Sequence, residues 1–537
     1  MTAGAPRPRP SATADDGGRL TGSVLLRGLR PVPVHPPTPA VPPARPGAPA
    51  PAGPAAGPVD LRVVDGAVTA VGPRLERAPG EELLEAEGRW VIPGLWDHHV
   101  HLGQWAGTSG RLDVSAARSA AEVVALVRER LATHPDRRAL VGFGFRDALW
   151  PDVPSLAALD AVAGALPVVL VSGDVHCGWL SSAARASLGL PPAGDDDGLV
   201  RETPWFDALG RVPALTGAVP DRGYAEALER AAAMGIVGLT ELEFGANELA
   251  WPERIARGLD LVRVRTGVYP DRLEEVLAAG LRTGAPLPGA RGLATMGPLK
   301  IISDGALNTR TAHCRAPYPE PGDPGHPHGQ QSVPAADLER LLRRAAAGGL
   351  AVAVHAIGDA AVALALDALE ATGARGSIEH AQLVDPADVP RMAALGVVAS
   401  VQPAHLLDDR DVAETAWPGR TAHAFPLREL LDAGVTLALG SDAPVAALDP
   451  WLAMAAAVHR SADERAPWHP EQQLTAAQAL AASTDGRGTP APGSPADLVL
   501  LDADPLAPGT SAEVAERLRT IPVAATLVAG RLTHRAL

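Results

Sequence analysis

Apolar runs alternate with helix-forming stretches through the central part of the chain. Eight of these runs have the length of strands and polar residues at or near their ends: residues 90–97, 235–243, 262–269, 299–304, 351–355, 376–380, 397–402 and 435–442. Segments rich in Ala, Leu, Arg and Glu separate the runs. Such alternation is typical of βα units around a parallel sheet. The pattern predicts an α/β fold, with a TIM-type (β/α)8 barrel over residues 91–484.

The stretch between the first and the second of these runs is too long for one connecting helix. Residues 104–230 contain a further apolar run, 166–171, and several helical stretches of their own. We therefore expect an inserted α/β subdomain, which lies over the mouth of the barrel.

Short β-prone runs with turn residues between them occur at both ends of the chain. Residues 64–72 contain an Asp-Gly pair, which is a hairpin signal, and residues 496–502 and 524–531 repeat the pattern. We expect residues 19–90 and 485–537 to form one flanking β-sandwich. Residues 1–18 are expected to be a disordered tail. A Pro/Ala-rich tract at 31–58 is expected to be extended and solvated, because proline does not join a central sheet.

Composition narrows the class of protein. A chain of 537 residues with 46% hydrophobic residues can form more than one folded domain. The net charge of −15 argues against nucleic acid or an anionic membrane as a partner. The two cysteines, Cys177 and Cys314, exclude a disulfide framework and a thiolate zinc site. With neither a leader segment nor a long apolar run in view, we expect a cytoplasmic protein, and a homodimer is left open.

The first candidate metal-binding residues lie in the first predicted barrel strand and directly after it. His99 and His101 are two residues apart, so in a strand they point to the same face and can bind one metal ion. Four later residues of suitable chemistry fall in other predicted strands or at their ends: Lys300, His355, His380 and Asp442. Taken singly, each has a structural alternative, such as a hydrogen-bonded core histidine or a helix-capping aspartate. Their joint placement favours a metal site.

Several motifs resemble those of a known family. They lie at residues 93–101, 142–150, 176–184, 300–312, 355–359, 378–382, 401–405, 440–451 and 496–505. Over roughly residues 59–535 the sequence resembles the amidohydrolase superfamily, and within it the amidohydrolase-3 branch that includes N-substituted formamide deformylases. The resemblance implies that His99, His101 and Asp442 hold a more buried metal ion and that His355 and His380 hold a more exposed one. Lys300 would bridge the two ions if its amine is carboxylated.

The implied reaction is hydrolysis of a non-peptide C–N bond in a small molecule, with an N-acyl or N-formyl amide as the leading substrate class. Two divalent cations would supply a hydroxide that attacks the carbonyl carbon. Zinc is the first expectation, and manganese, iron or cobalt remain open. Asp442 and His380 are the expected catalytic residues, with Asp442 as the proton carrier. A cyclic amide hydrolase or deaminase is one alternative reading, and a catalytically silent binding protein is another.

Further residues are candidates for the surroundings of the site. His176, His405 and Arg420 are possible substrate-binding residues, although His176 is about as compatible with a core or surface position and Arg420 with a structural ion pair. Asp304 and Asp359 follow predicted ligand strands. They either orient the imidazoles or cap the next helix.

Overall fold

The computed structural model describes residues 22–35, 57–108, 111–134, 138–192, 197–217, 219–320 and 325–537. The expected disordered tail at 1–18 lies outside these residues, and so does most of the Pro/Ala-rich tract. The described chain forms three sheets: a parallel barrel, a flanking sheet and a smaller sheet in the insertion.

The N-terminal part of the chain contributes five strands to the flanking sheet. They are β1 (Ser23–Pro31), β2 (Val59–Val64), β3 (Ala67–Gly72), β4 (Glu82–Glu85) and β5 (Trp90–Pro93). Strand β2 is antiparallel to β1 and to β3, whereas β4 and β5 pair with β1 in parallel. Strand β1 therefore lies in the middle of the sheet, where neighbours on both sides hold it.

The first barrel strand and the insertion follow. The elements are β6 (Leu95–Val100), α1 (Leu102–Thr108), β7 (Leu112–Asp113), α2 (Ala120–Thr133), β8 (Leu140–Phe145), α3 (Leu156–Ala163), β9 (Val168–Ser172), β10 (Cys177–Leu180), α4 (Ser182–Ser187), β11 (Leu199–Arg201), α5 (Glu202–Leu209), α6 (Pro213–Thr216) and α7 (Asp221–Ala233). The inserted sheet has the order β11-β10-β9-β8-β7. It has its own hydrophobic core, with Phe145, Leu170 and Trp179 fully buried. The inserted α/β subdomain predicted from the sequence is present.

Seven further strands complete the barrel. They are β12 (Ile236–Glu241), β13 (Arg263–Val268), β14 (Ala294–Ile302), β15 (Val352–Ala356), β16 (Gly376–His380), β17 (Val398–Val401) and β18 (Thr436–Leu439). All consecutive pairs from β6 and β12 through β18 are parallel. A parallel bridge between Val100 and Ala443 brings the first and last strands together. The predicted eight-stranded barrel is confirmed.

Helices surround the barrel and cover its apolar outer face. They are α8 (Asn247–Ala256), α9 (Leu273–Ala278), α10 (Ala335–Ala347), α11 (Asp359–Thr372), α12 (Val389–Leu395), α13 (Leu406–Ala416), α14 (Leu427–Asp432), α15 (Pro450–His459) and α16 (Ala476–Ala482). Single 3-10 turns occur at Asp147–Leu149, Pro270–Arg272, Pro403–His405, Thr421–His423 and Pro470–Gln472. Within the described parts of the chain, none of the helices combines the length and the apolar character needed to cross a bilayer.

The C-terminal residues return to the flanking sheet. They form β19 (Leu498–Leu501), α17 (Ser511–Thr520), β20 (Val523–Val528) and β21 (Arg531–Arg535). The sheet has the order β21-β20-β19-β5-β1-β2-β3, with β4 beside β1. Side chains from both chain ends, among them Leu26, Leu61, Leu500 and Leu527, share one hydrophobic cluster. The two ends of the chain thus build one flanking β structure, as the fold prediction required.

One predicted strand is two strands in the structure. The apolar run at 90–97 divides at Gly94, with β5 pairing to β19 of the flanking sheet and β6 pairing to β12 of the barrel. The amide of Gly94 donates to the carbonyl of Asp497, at 2.8 Å. A Cβ atom at Gly94 would lie 2.3 Å from the methyl groups of Val237, so the two layers meet where no side chain fits.

The start of the Pro/Ala-rich tract also differs from expectation. Pro31 ends β1, and Val32 and Val34 are buried within the main hydrophobic cluster of the barrel. The amide of Val34 donates to Oγ1 of Thr489, at 2.8 Å. The alternating valines place apolar side chains on one face, and that face packs rather than remaining solvated. Residues 36–56 of the tract lie outside the described chain.

Candidate metal centre

The C-terminal ends of the barrel strands bring all six predicted ligand residues into one region. They are His99 in β6 and His101 directly after it, Lys300 in β14, His355 in β15, His380 at the end of β16 and Asp442 shortly after β18. Five of the six are buried, and the side chain of His101 is 14% exposed. In a parallel barrel the strand ends converge at one face, so residues far apart in sequence meet there.

Backbone contacts fix Asp442 beside the first histidines. The amide of Asp442 donates to the carbonyl of His99, at 2.7 Å. The buried carboxylate of Asp97 accepts from the amides of His99 and Ser441, at 3.0 Å and 3.1 Å. These bonds join the end of β6 to the loop after β18, where the barrel closes.

The distances within this group suit a single cation. Oδ1 of Asp442 is 3.4 Å from Nε2 of His99 and 3.4 Å from Nε2 of His101. Nζ of Lys300 is 3.3 Å from Nε2 of His99. Two ligands bound at 2.0–2.1 Å to one tetrahedral ion lie about 3.4 Å from each other. The arrangement therefore fits an ion between His99, His101 and Asp442.

His355 and His380 form the other side of the centre. Their ring centroids are 4.5 Å apart, and the ligand atoms of His99, His380 and Asp442 lie within 4.8 Å of one another. Nε2 of His355 is 3.2 Å from the carbonyl oxygen of Gly305, which leaves Nδ1 of His355 for a ligand.

Unpaired nitrogen atoms and backbone strain mark the same region. Nδ1 of His101 and Nδ1 of His380 are buried, and no hydrogen-bond partner for either lies among the described residues. His380 and Asp442 have φ angles of 72° and 55°, which non-glycine residues rarely adopt. Strain of this kind concentrates at functional sites, where the surrounding structure holds it in place.

Glu379 supports the centre and was missed by sequence reasoning. Its Oε2 lies 2.7 Å from Nδ1 of His99, and Ser377 bonds to its other oxygen. Burial alone raises the pKa of Glu379, but the hydrogen bond from His99 and the charges of His99 and Lys300 lower it to about 2. A carboxylate on Nδ1 leaves the lone pair of Nε2 for a metal ion. The sequence did contain one signal for this role, because Glu379 is a charged residue within a predicted buried strand.

The two aspartates that follow ligand strands have different roles. The carboxylate of Asp304 accepts from the amides of Ile357, Gly358 and His313, and it lies 3.4 Å from Nε2 of His355. It therefore holds the loop after β15 and contacts the imidazole. Asp359, the first residue of α11, instead accepts from the backbone of a distant loop.

A cavity of about 220 Å³ opens onto the centre, and His355, His380 and Asp442 contribute to its wall. His176 and His405, two of the three predicted substrate-binding residues, also line it. Arg420 is not among the lining residues, and its Nη1 lies 3.7 Å from Asp359, the ion-pair alternative that the sequence left open. Charged and apolar residues form further parts of the wall, among them Arg146, Asp174, Asp408, Asp409, Leu149, Leu307, Val412 and Val445.

Comparison with known proteins agrees with this geometry. The sequence profile of the amidohydrolase family matches residues 82–534. YtcJ of Bacillus subtilis (strain 168) is 27% identical over 498 residues, covering 85% of this chain and 91% of that protein. The N-substituted formamide deformylase of Arthrobacter pascens is 27% identical over 546 residues, covering 88% and 94%.

A solved structure is similar over most of its length. An uncharacterized metal-dependent hydrolase from Pyrococcus horikoshii OT3 superposes with a TM-score of 0.67 at 26% identity, covering 84% of this chain and 94% of that chain. The amidohydrolase-3 resemblance is thereby confirmed. Because the profile spans most of the chain, the protein belongs to the amidohydrolase family.

Proposed function

We propose that this protein is a metal-dependent hydrolase that cleaves a non-peptide C–N bond, with an N-acyl or N-formyl amide as substrate. The observation that carries the proposal is the position of Asp442, whose Oδ1 is 3.4 Å from Nε2 of both His99 and His101 beside an open cavity. The deformylase relative, matched over most of its length, supports the choice of a C–N bond.

The donor set favours two divalent cations. His99, His101 and Asp442 would hold one, and His355 and His380 the other. Imidazole and carboxylate ligands suit zinc, and they also accept manganese, iron or cobalt. When bound, such ions supply Lewis acidity toward a carbonyl group and an activated water molecule.

Lys300 is suited to carboxylation. Its side chain is 2% exposed, and burial lowers the pKa of its amine, which favours the neutral form. A neutral amine can add to carbon dioxide with loss of a proton, and the resulting carbamate is an anionic oxygen ligand. The modification would replace an amine whose charged form is costly in this buried position with an anionic ligand for the proposed cations.

Asp442 is the proposed proton carrier. Burial raises the pKa of Asp442, but the neighbouring imidazoles of His99, His101 and His380 lower it well below its ordinary value. The residue is therefore a carboxylate that can accept a proton from the attacking water. It then returns that proton to the leaving nitrogen, so that an amine and a carboxylic acid result.

The substrate is proposed to be a small molecule with an apolar substituent. The cavity volume of about 220 Å³ suits a compact ligand. Leu149, Leu307, Val412 and Val445 form an apolar part of the wall, against which such a substituent can pack. Cytoplasmic location and a homodimeric state also belong to this proposal, and fractionation and size-exclusion chromatography test them.

A substrate panel with metal analysis tests the proposed function. The purified enzyme is loaded with zinc, manganese, iron or cobalt and assayed on N-formyl amines, N-acyl amines, cyclic amides, aminated heterocycles and dipeptides. We expect close to two ions per chain and turnover of the open-chain amides. Selective ring opening or deamination would favour the cyclic alternative. Full metal loading without any turnover, or no metal binding, would refute the hydrolase assignment.

A further inference from the structure

A short segment of the insertion forms part of the edge of the cavity. This rim segment, residues 146–153, follows β8 directly and contains the 3-10 turn Asp147–Leu149. Three of its residues line the cavity, namely Arg146, Ala148 and Leu149. The insertion therefore supplies a wall to the same cavity that opens onto the proposed metal centre.

Contacts on both sides of Leu149 hold the rim segment in place. Before it, Nη1 of Arg146 lies 2.5 Å from Oδ2 of Asp408, in α13 of the barrel. After it, Trp150 packs against Phe145, with 6.0 Å between the ring centroids, and contacts the hydrophobic core of the insertion. Leu149 thus lies between two anchored residues, so its position relative to the cavity is fixed.

Leu149 is an apolar side chain that the fold leaves partly uncovered. Among the described residues, the exposed large apolar side chains are Leu149, Val153, Leu249 and Leu537, and Leu149 is 52% exposed. Of these four, Leu149 alone lines the cavity. A single exposed leucine is ordinary on a protein surface. In the wall of a cavity beside a candidate metal centre, it offers a contact surface to a ligand.

The exposure of the wall residues distinguishes two ends of the cavity. The proposed ligands in its wall, His355, His380 and Asp442, are buried, whereas Leu149 is half exposed. An amide held by these ligands lies at the closed end, and its larger substituent has to extend toward the open end. In a formyl amide the acyl carbon carries only hydrogen, so that substituent is the group on nitrogen.

The charges in the wall disfavour an anionic substituent. Arg146 is the one lysine or arginine side chain in the wall of this cavity, and it is already bound to Asp408. Asp174 and Asp409 also line the cavity, and each accepts a hydrogen bond from an uncharged side chain. A carboxylate on the substrate would lose hydration and meet like charges there, whereas an apolar group avoids both costs.

We propose that Leu149 is a specificity-determining residue, against which an apolar substituent on the amide nitrogen packs. This inference rests on the proposed function and narrows it to neutral N-alkyl amides, in preference to N-acyl amino acids. Packing removes apolar surface of both partners from water. Because the contact is remote from the reacting atoms, it is equally strong in the ground state and the transition state, so its effect falls on KM rather than on kcat.

A homologous series of substrates tests the contact. The metal-loaded enzyme is assayed on N-formyl and N-acetyl alkylamines from methyl to hexyl. The kcat/KM of the wild type should rise by about fourfold for each methylene that packs on Leu149. Leu149→Ala is expected to lower kcat/KM by about 5–30-fold for the hexyl substrates and by less than about twofold for the methyl ones. Leu149→Met, of similar volume, should restore most of the preference.

Val153→Ala is the matched control. Val153 is 79% exposed in the same rim segment but does not line the cavity. Shortening its side chain should change neither kcat nor KM for any member of the series. Metal content and thermal midpoint show whether each variant is loaded and folded. Because Leu149 is half exposed, its truncation leaves no void in a packed core.

Binding without turnover provides a second readout. N-alkyl-N-hydroxyformamides present the formyl amide with an additional oxygen that chelates metal, and calorimetry follows their affinity. The affinity should rise with chain length in the wild type and in Val153→Ala, and much less in Leu149→Ala. Chains that end in a carboxylate should bind more weakly than alkyl chains of equal length, and a terminal ammonium group should bring no gain.

The failures of the two proposals are distinguishable. Equal losses for methyl and hexyl ligands in Leu149→Ala, or stronger binding of charged chains than of alkyl chains, overturn the inference and leave the proposed function standing. Failure of the loaded wild type to hydrolyse any amide refutes the proposed function, and with it the substrate class inferred from Leu149.

Discussion

Asp442 carries the strongest prediction at the scale of single residues. Asp442→Asn keeps one oxygen for coordination but removes the carboxylate that accepts a proton. We expect metal content to be retained at least partly and kcat to fall by about 10²–10⁴-fold. Lys300→Ala, by contrast, should lose much of the metal, because it removes the proposed bridging ligand. Elemental analysis alongside steady-state kinetics makes the comparison. Near-normal turnover by fully loaded Asp442→Asn would contradict the mechanism.

The residues of the site were predictable to different degrees. The barrel pattern singled out the candidate ligands, because each falls within or beside one of its apolar runs: His99, His101, Lys300, His355, His380 and Asp442. The partners of these residues could not be found in that way. Glu379 bonds to His99 across 280 positions of the chain. A local sequence pattern cannot predict this contact, because the two residues become neighbours only when the barrel closes.

At the scale of secondary-structure elements, the flanking sheet contains a buried carboxylate that should make the stability of the protein depend on pH. Glu81 precedes β4, and its side chain is fully buried. Its carboxylate accepts from Arg62 in β2 at 2.7 Å and 3.0 Å, and from Ser23 in β1 at 2.7 Å. The hydrogen bond from Arg62 is the main reason that the pKa of Glu81 falls from 4.5 to about 2. The folded state therefore favours the ionised form.

The lowered pKa of Glu81 determines the direction in which stability changes with pH and the pH range over which it changes. The stabilisation is fully present above about pH 4.5 and is lost as the pH falls toward about 2. We expect Glu81→Gln to lower the free energy of unfolding by roughly 1–3 kcal/mol near neutral pH and by less at pH 3. Urea unfolding at both pH values measures the difference. Glu82→Gln, at the exposed neighbour, is the control, and equal losses at the two pH values would argue against the ionic role of Glu81.

Prediction of the elements succeeded where the periodicity was regular. All eight barrel strands occur close to their predicted positions, because the alternation of apolar runs and helices is a local property. The division of the run at 90–97 was missed, since the pattern stays apolar through Gly94. What divides it is a choice of partners, with β5 bonding to β19 and β6 bonding to β12. Partner choice is a tertiary property.

At the scale of the whole molecule, a protease can test how the N-terminal strand is held. The composition of the Pro/Ala-rich tract predicts that elastase cuts within residues 31–58 first. The burial of Val32 and Val34 moves the expected site beyond residue 35. Because β1 pairs with β2, β4 and β5, all of which lie beyond the tract, the two fragments should stay together and retain activity.

Electrophoresis under denaturing conditions and size-exclusion chromatography of the nicked protein provide the comparison. The expected result is two bands in the gel and a single peak of the original size on the column. Separation of the fragments would show that β1 is held less firmly than its pairing implies. Protection of the tract would show that it packs against another part of the molecule.

The division at Gly94 has a consequence for the order in which this enzyme is made. Strand β5, which leads directly into the strand of His99, takes one of its two neighbours from the last part of the chain, where Pro93 faces Leu498. During synthesis the N-terminal residues leave the ribosome first, and β5 keeps an open edge until β19 follows. The support beneath the proposed ligands His99 and His101 is therefore completed only when translation is nearly over. A nascent or truncated chain lacks this anchored strand, so we expect binding of the proposed ions to be a late step in maturation.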